Sequence, residues 1–350
     1  MGINRLNAFK ITGVTRHQFY YKSKSTKQGI KPSIYTKKID EKGKIKQVIN
    51  TEIIEVIKSN QTDLELNYGY HRMTKQLKIM GYLINHKKVF RLMKEYMLLK
   101  DKRKTTDKKY VKYRIVTPKN PLEVLEMDIK FVWVHEARKH AYVLSVIDTF
   151  TRVILDWTIG FSIKQNEVKS LWEDIVINHL QPNNMLEKGV SIEIRNDNDP
   201  RFSAKDIQAF FKNNYLNQVF THPYTPQENG HIESFHAILG RAIAGENFYS
   251  IEQLNTRMTL FYEKYNNIRL HGSIASLAPN VFWEQWNIGN INLKVTEKRK
   301  NIFKLKIPYF ELSGKMSLKE VSCYKENQGH RDPEMQPSVQ KSPLEASCDS

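Results

Sequence analysis

The stretch Leu125-Glu126-Met127-Asp128-Ile129 places an acidic residue inside an apolar run typical of a β-strand. A second apolar run leads to Asp197 in Ile192-Glu193-Ile194-Arg195-Asn196-Asp197-Asn198. After 35 intervening residues comes Glu233, in the helix-like segment Glu228-Asn229-Gly230-His231-Ile232-Glu233-Ser234-Phe235-His236. Carboxylate oxygens are the ligands that hard divalent cations prefer. The three stretches predict that Asp128, Asp197 and Glu233 together hold a pair of such cations and catalyse phosphoryl transfer.

Composition favours a globular protein of two or three domains. The chain has 350 residues, 40% of them hydrophobic, and no run of 18 apolar residues that would suggest a membrane span. Its start lacks the apolar core of a signal peptide, so we expect a cytoplasmic, nucleoid-associated protein without membrane contact. The two cysteines, Cys323 and Cys348, lie near the end, which argues against a disulfide or a cysteine zinc site in the body.

The positive charge is concentrated in the first third. Residues 1–120 hold 29 of the 55 Lys and Arg and 9 of the 37 Asp and Glu, a balance of +20, whereas the remainder balances at −2. A basic block beside a near-neutral domain predicts a nucleic-acid grip attached to a second function. The alternative is a solvated lysine-rich surface.

The N-terminal residues 5–22 read as two short helices with Gly13 at the turn. Thr15 is a candidate N-cap, and Arg16 and His17 would then face outward toward DNA bases. A helical hairpin without DNA contact is equally compatible with the pattern. We assign residues 1–47 to this segment and a linker, because residues 23–47 show little periodicity.

Residues 48–100 predict a stronger helix-turn-helix module. Apolar periodicity at 50–60 and 71–80 is broken by Gly81, and Asn85 can cap a further helix. The outward face of that helix supplies the predicted DNA contacts Lys87, Lys88, Arg91 and Lys94. Residues 101–118 follow as a basic linker, in which Lys102, Arg103 and Lys104 would track phosphates.

From residue 122 the pattern changes to an α/β domain, which we place at 119–290. Three strands are predicted at 122–134, 140–148 and 153–161, followed by a helix at 164–180 and a strand ending at Asp197. A helix at 203–214, a strand at 217–222, the Glu233 helix and a helix at 250–267 complete it. Residues 291–350 form a C-terminal extension, which we expect to be disordered after about 312.

The stretches around the carboxylates resemble the catalytic core of DDE transposases and retroviral integrases, most of all the orfB-type transposases of bacterial insertion sequences. The resemblance rests on Glu126-Met127-Asp128, on Asn196-Asp197-Asn198 with Phe202, on Asn229 to His236, and on Tyr265-Asn266-Asn267-Ile268-Arg269-Leu270-His271. Tyr68-Gly69-Tyr70-His71-Arg72 resembles the helix-turn-helix that precedes this core. No His-His-Cys-Cys pattern precedes the core, which disfavours a retroviral integrase.

The resemblance implies a ribonuclease-H-like fold, with a mixed five-stranded sheet flanked by helices. It implies metal-dependent 3′-end cleavage and strand transfer, with two Mg²⁺ or Mn²⁺ ions: Asp128 bridging both, Asp197 holding one and Glu233 the other. The partners implied are terminal inverted repeats, target DNA, further copies of the chain, and an upstream-frame protein fused or bound to it. Accessory roles fall to Asn198, His236, Arg269 and His271.

Two departures from the family pattern bear on activity. Asp199-Pro200-Arg201 stands where the family has Gly-Ser-Gln, and Gly240 stands where it often has a cation that contacts the DNA end. Arg241 follows, and an ideal helix turns it about 80° away from Glu233. Either Arg241 substitutes as the DNA contact or this contact is lost. The alternative function is therefore a catalytically impaired, DNA-binding descendant. A structure-selective nuclease on the same fold is a weaker third reading.

Overall fold

The computed structural model of the chain describes residues 4–21, 32–40, 42–101, 117–186, 192–222, 225–297 and 300–315. The predicted N-terminal helices are present as α1 (Arg5–Thr12) and α2 (Arg16–Tyr20). Gly13 ends α1 in the left-handed conformation, with φ of 68°, and Thr15 caps α2 through the backbone N–H of Gln18. Neither helix buries a side chain, so this segment has no core of its own.

The linker predicted at 23–47 is wrong for its described second half. That part contains β1 (Tyr35–Ile39) and most of β2 (Ile45–Ile49), which form an antiparallel hairpin, and β1 also pairs with β3 (Tyr82–Leu83). The two strands include Lys37, Lys38 and Lys46, and only Thr36 and Val48 of their residues are buried. So thin an apolar face leaves little alternation to detect in the sequence.

The predicted helical module is confirmed. It consists of α3 (Asn50–Thr62), α4 (Tyr70–Ile79) and α5 (His86–Glu95), packed around a core that includes Ile53, Ile57, Met73, Leu77, Val89 and Leu92. Asn85 caps α5 as predicted, because its side chain accepts from the backbone N–H of Lys88 at 2.9 Å. Leu270 of the second domain is fully buried in the same core.

The second domain is built on a mixed five-stranded sheet. Its strands are β4 (Val124–Val134), β5 (Lys139–Asp148), β6 (Ile154–Gly160), β7 (Ile192–Asn196) and β8 (Leu216–Phe220), in the spatial order β6-β5-β4-β7-β8. The first three form an antiparallel meander, and β7 and β8 add in parallel beyond β4. The strand predictions therefore hold, and the sheet is the ribonuclease-H-like arrangement that the resemblance implied.

Helices cover both faces of the sheet. They are α6 (Gln165–Ile175, extended by a π-helical turn at Val176–Leu180), α7 (Lys205–Asn213), α8 (Gly230–Ala242), α9 (Ile251–Asn267) and α10 (Pro279–Asn287). Leu125, Met127 and Ile129 point toward α6 and α7. The alternate residues of β4, which include Glu126 and Asp128, point toward α8 and α9.

A short hairpin, β9 (Ile291–Val295) with β10 (Asn301–Leu305), follows α10 and packs on Phe150 and Phe282. Within the described part of the chain, no helix is both long and apolar enough to cross a membrane. The predicted disorder after about 312 falls mostly on residues 316–350, outside the described residues, as do Lys102, Arg103 and Lys104.

Candidate active site

The register of β4 against β7 brings two of the predicted carboxylates together. Glu126 pairs with Arg195 in the parallel ladder, so two residues further along both strands Asp128 comes opposite Asp197. β7 ends at Asn196, and Asp197 therefore leaves the sheet at the edge of the pairing, with its side chain exposed. The sheet alone places two acidic groups side by side.

Helix α8 lies alongside β4, and successive turns of the helix contact successive residues on one face of the strand. Its first turn meets Glu126, the ring nitrogen Nδ1 of His236 lies 3.2 Å from Oδ2 of Asp128, and Gly240 lies beside Lys130. Two strand residues advance about 6.6 Å and four helix residues about 6 Å, so successive contacts stay matched. This match carries Glu233, three residues before His236, to the same end of the site as Asp128.

Glu126 anchors the start of α8. Its Oε2 accepts from the backbone N–H groups of His231 (2.9 Å) and Ile232 (2.8 Å), and its Oε1 lies 2.7 Å from Nδ1 of the His231 ring. The free N–H groups of a first helical turn favour an anionic partner. The side chain is fully buried, and this burial raises the pKa of Glu126 to about 7.

The three carboxylates influence one another electrostatically. Partial burial, and after it the charge of Asp128, raises the pKa of Asp197. Partial burial and the charges of Asp128 and Glu126 likewise raise the pKa of Glu233. Like-charged oxygens gathered in this way are the donor set that a divalent cation stabilises. As the described side chains stand, however, no group of three or more His, Cys, Asp or Glu is close enough to enclose an ion.

The extra charge at Asp199 is neutralised locally. Arg201 donates from Nε and Nη2 to the two carboxylate oxygens of Asp199, and its guanidinium lies 5.1 Å from the ring centroid of Tyr142. These hydrogen bonds lower the pKa of Asp199. The backbone N–H of Asp199 also donates to Oδ1 of Asp197 at 3.3 Å.

The predicted DNA-contacting residues occupy three separate surfaces. Arg16 and His17 are exposed on α2, Lys87 and Lys94 are exposed on α5, and Arg241 is exposed on α8. Two of the α5 cations have partners in the chain: Lys88 donates to the carbonyl of Tyr35 at 2.6 Å, and Arg91 lies 3.8 Å from Glu95.

The predicted accessory residues divide into one exposed and three buried side chains. Asn198 is exposed, and its amide lies 3.4 Å from the carbonyl of Thr221. His236, Arg269 and His271 are 9%, 7% and 8% exposed, so all three side chains are buried. His236 reaches the carboxylates through Asp128, whereas Arg269 and His271 lie where the helical module meets the core.

Sequence reasoning missed three site residues. Glu126 and Lys130 flank Asp128 at two-residue spacing, and that strand periodicity places them on the face of the carboxylates. Lys130 ends beside Gly240: its Nζ lies 3.5 Å from the position that a Cβ of residue 240 would take. Arg152 lies in the turn after β5, and no pattern in the sequence predicts that its side chain points into the protein.

The fold and the clustered carboxylates define a class, the ribonuclease-H-like cores with an acidic site. Two family models described as Integrase core domain match residues 118–226 and 214–279, and one described as HTH-like domain matches residues 44–105. Residues 118–279 therefore match the integrase core domain, and residues 44–105, which precede it, match an HTH-like domain. The resemblance to insertion-sequence transposases that the sequence suggested is confirmed at this level.

Its relatives include proteins of bacterial insertion elements. The chain is 24% identical to an uncharacterized 39.2 kDa protein of insertion element IS476 from Xanthomonas euvesicatoria, over 67% of this chain and 64% of that protein. It is 26% identical to the putative transposase InsK of insertion element IS150 from Escherichia coli K12, over 61% and 76%. Among solved structures, the catalytic domain of Mos1 transposase aligns with 47% of this chain and 76% of its own, at 13% identity and a TM-score of 0.36. The chain thus spans less than two thirds of the IS476 relative.

Proposed function

We propose that the protein is a DNA transposase that cuts the ends of an insertion element and joins them to target DNA. The observation that carries the proposal is the convergence of three carboxylates on an integrase-core sheet, where the charge of Asp128 raises the pKa of both Asp197 and Glu233. An HTH-like domain precedes that core and lies within residues 1–120, the part of the chain that holds the excess of positive charge.

The donor set fits divalent cations. We propose that Asp128, Asp197 and Glu233 are the residues that would hold two Mg²⁺ or Mn²⁺ ions. Bound there, the ions would supply Lewis-acid stabilisation of the attacking and leaving oxygens. Asp197 and Glu233 are exposed, and Nδ1 of His236 lies 3.2 Å from Oδ2 of Asp128.

The reaction proceeds in two displacements at phosphorus. In the first, water attacks a phosphodiester at the element's end, the P–O3′ bond breaks, and the oxygen leaves as a free 3′-hydroxyl. In the second, this 3′-hydroxyl attacks a target phosphodiester, forms a new P–O bond and releases the target's own 3′-hydroxyl. The chain's contribution is to hold the carboxylates and to position the DNA backbone. Lys130 lies beside Gly240 of α8, and Arg241 is exposed on the same helix.

The proposed partners are the terminal inverted repeats, target DNA and further copies of the chain, since two ends must meet. An upstream-frame protein, fused or bound, remains part of the proposal. The alternative, a catalytically impaired descendant, rested on Gly240. Lys130 beside Gly240 supplies a cation at that place and weakens the case for it.

The test is strand transfer with labelled element ends in Mg²⁺ or Mn²⁺, using end sequences taken from the flanking genomic DNA. Asp197→Asn should abolish joined product while duplex binding in EDTA persists. The matched control is Asp206→Asn, an exposed acidic residue on α7 that hydrogen-bonds Gln165; it should join normally. Equal joining by wild type and Asp197→Asn would sink the assignment.

A further inference from the structure

Basic side chains converge where the helical module meets the integrase core. Arg72 of α4 donates from Nη1 to the carbonyl of Leu270 at 3.2 Å, and the backbone N–H of Leu270 donates to the Tyr68 hydroxyl at 2.8 Å. Leu270 is buried in the core of the module, so its neighbours Arg269 and His271 are carried into the junction. The His271 ring packs edge-on against Tyr265 at 4.6 Å between centroids.

Several donors at this junction have no acceptor. Among the described residues, Nε of Arg269, Nε2 of His271 and Nη1 of Arg152 are buried and lack a hydrogen-bond partner. Arg269 is 7% exposed and His271 8%. An unpaired buried guanidinium is costly, because the lost hydration is not replaced.

The charges of these basic groups also affect one another's pKa values. Burial, and then Arg269, Arg72 and Arg152, lowers the pKa of His271 well below its ordinary value. Burial lowers the pKa of Arg72 and of Arg269, and each of these two is also affected by the exposed Arg241 of α8. The cluster therefore has its buried end at His271 and its solvent side at Arg241.

Each nearby acidic group has at least one partner outside the cluster, although Oε2 of Glu65 accepts no hydrogen bond among the described residues. Glu65, whose charge reaches Arg269, has its Oε1 2.9 Å from Nη2 of Arg257. Glu126, whose charge reaches Arg152, accepts from the start of α8. Asp148 accepts from the backbone N–H groups of Leu122, Phe150 and Thr151 and from the Thr151 hydroxyl.

The Asp148 bonds hold a tight turn in which Arg152 adopts a left-handed φ of 68°. That backbone conformation is unfavourable for a residue with a Cβ, and it persists here because the hydrogen bonds of Asp148 hold the turn. The turn directs the Arg152 side chain into the junction rather than toward a carboxylate of its own loop.

We propose that Arg72, Arg152, Arg269 and His271 form a phosphate pocket between the HTH-like domain and the integrase core, and that it takes one backbone phosphodiester of bound DNA. Guanidinium groups match phosphate oxygens through paired N–H donors. The orphaned donors then gain acceptors, and the mutual repulsion of the cations is relieved. That the anion belongs to DNA rests on the proposed function; that the pocket binds a tetrahedral anion does not.

The position of the pocket favours a DNA ligand. Arg241 lies eight residues after Glu233 on α8, about 12 Å along the helix axis. DNA that leaves the recognition module for the carboxylates would pass this point. A phosphate bound there would contact both domains at once, so recognition by the module and placement of the cleavage point would be linked.

The first experiment measures binding of a 40-base-pair duplex to the full chain by fluorescence anisotropy in EDTA over a salt series. Arg269→Gln and Arg72→Gln should each weaken binding about tenfold near 0.1 M salt and lower the slope of log K against log salt by about 1. The double variant should lose less than the sum, because the two arginines share one phosphate. The matched control is Arg257→Gln: this arginine is bonded to Glu65 and Glu246, and its loss should lower thermal stability without changing the salt slope.

The second experiment uses inorganic phosphate as the probe. At equal ionic strength, phosphate in place of chloride should raise the unfolding temperature of the wild type and of Arg257→Gln, but not of Arg269→Gln. Phosphate stabilisation that is equal in all variants would overturn the pocket. Selective phosphate stabilisation with unchanged DNA binding would overturn its DNA role. Because neither assay needs the carboxylates, Asp197→Asn should behave as wild type in both. Absence of strand transfer by the wild-type chain would count only against the proposed function.

Discussion

The carboxylate of Glu126 on β4 accepts the backbone N–H of Ile232, at 2.8 Å, in the first turn of the helix that carries Glu233. One residue of the central strand thus fixes the start of α8, and the next residue on that face is Asp128. The distance between two of the proposed metal ligands depends on this bond, although Glu126 itself is fully buried and faces no substrate.

Two substitutions of Glu126 should distinguish its role as a hydrogen-bond acceptor for α8 from the effect of its negative charge. Glu126→Ala leaves two N–H groups of α8 without an acceptor, so we expect a loss of about 2 kcal/mol in stability. A displacement of Glu233 by about 1 Å would cost about 10²-fold in strand transfer. Glu126→Gln keeps one oxygen for the two N–H groups and gains an amide donor for Nδ1 of His231, so it should retain most activity. Hydrogen exchange at Ile232, read by mass spectrometry, reports the anchor directly; equal protection in Glu126→Ala and wild type would refute this role.

Lys130 should compensate for the absence of a cation at position 240. Lys130→Met removes the ammonium beside Gly240, and we expect weaker binding of element ends with a salt slope lower by about 1. A Cβ at residue 240 meets Lys130 only at ordinary contact distance, so Gly240→Lys can be accommodated. The double variant Lys130→Met with Gly240→Lys should recover the binding that Lys130→Met loses. Gly240→Ala in the same background is the control, and recovery by alanine would show that helix stability, not charge, was responsible.

The sequence predicted the strands, the helices and the three carboxylates because these depend on local periodicity and short-range spacing. Two contacts were not predicted: Lys130 beside Gly240, and Arg152 near His271. Both join segments that are distant in the sequence and that meet only once the sheet has formed. The β1–β2 hairpin was not predicted because most of its stability comes from pairing with Tyr82–Leu83 and with itself, not from an apolar face. The sequence predicted the helical module as a separate domain, but Leu270 of the second domain is part of its core. This contact too joins segments that are distant in the sequence.

Leu270 should couple the stability of the two domains. It is fully buried among residues of the helical module, so Leu270→Ala should cost about 2–5 kcal/mol. The loss should appear as faster hydrogen exchange in α3, α4 and α5, although the substitution lies outside them. Leu254→Ala, an equally buried leucine in the core beneath α9, is the matched control and should leave exchange in the module unchanged. Faster exchange in the module with Leu254→Ala, or none with Leu270→Ala, would mean that the domains are not coupled through this side chain.

Asp156 should make stability fall as pH rises toward neutrality. Burial, together with the charge of Asp174, raises the pKa of Asp156 from 3.8 to about 7 in the folded chain. Between about pH 4 and pH 7 the unfolded chain has lost this proton while the folded chain still holds it, so the folded state loses stability across that window and stays less stable above it.

Asp156→Asn cannot ionise, and its oxygen can still accept the backbone N–H of Trp157, which Oδ1 of Asp156 accepts at 2.8 Å. Relative to wild type, it should gain at least about 1.4 kcal/mol between pH 4.5 and pH 8.5, the equivalent of one pKa unit, in urea unfolding. Asp174→Asn, which removes the facing charge, should reduce the fall without abolishing it, and parallel pH curves for wild type and Asp156→Asn would contradict the assignment.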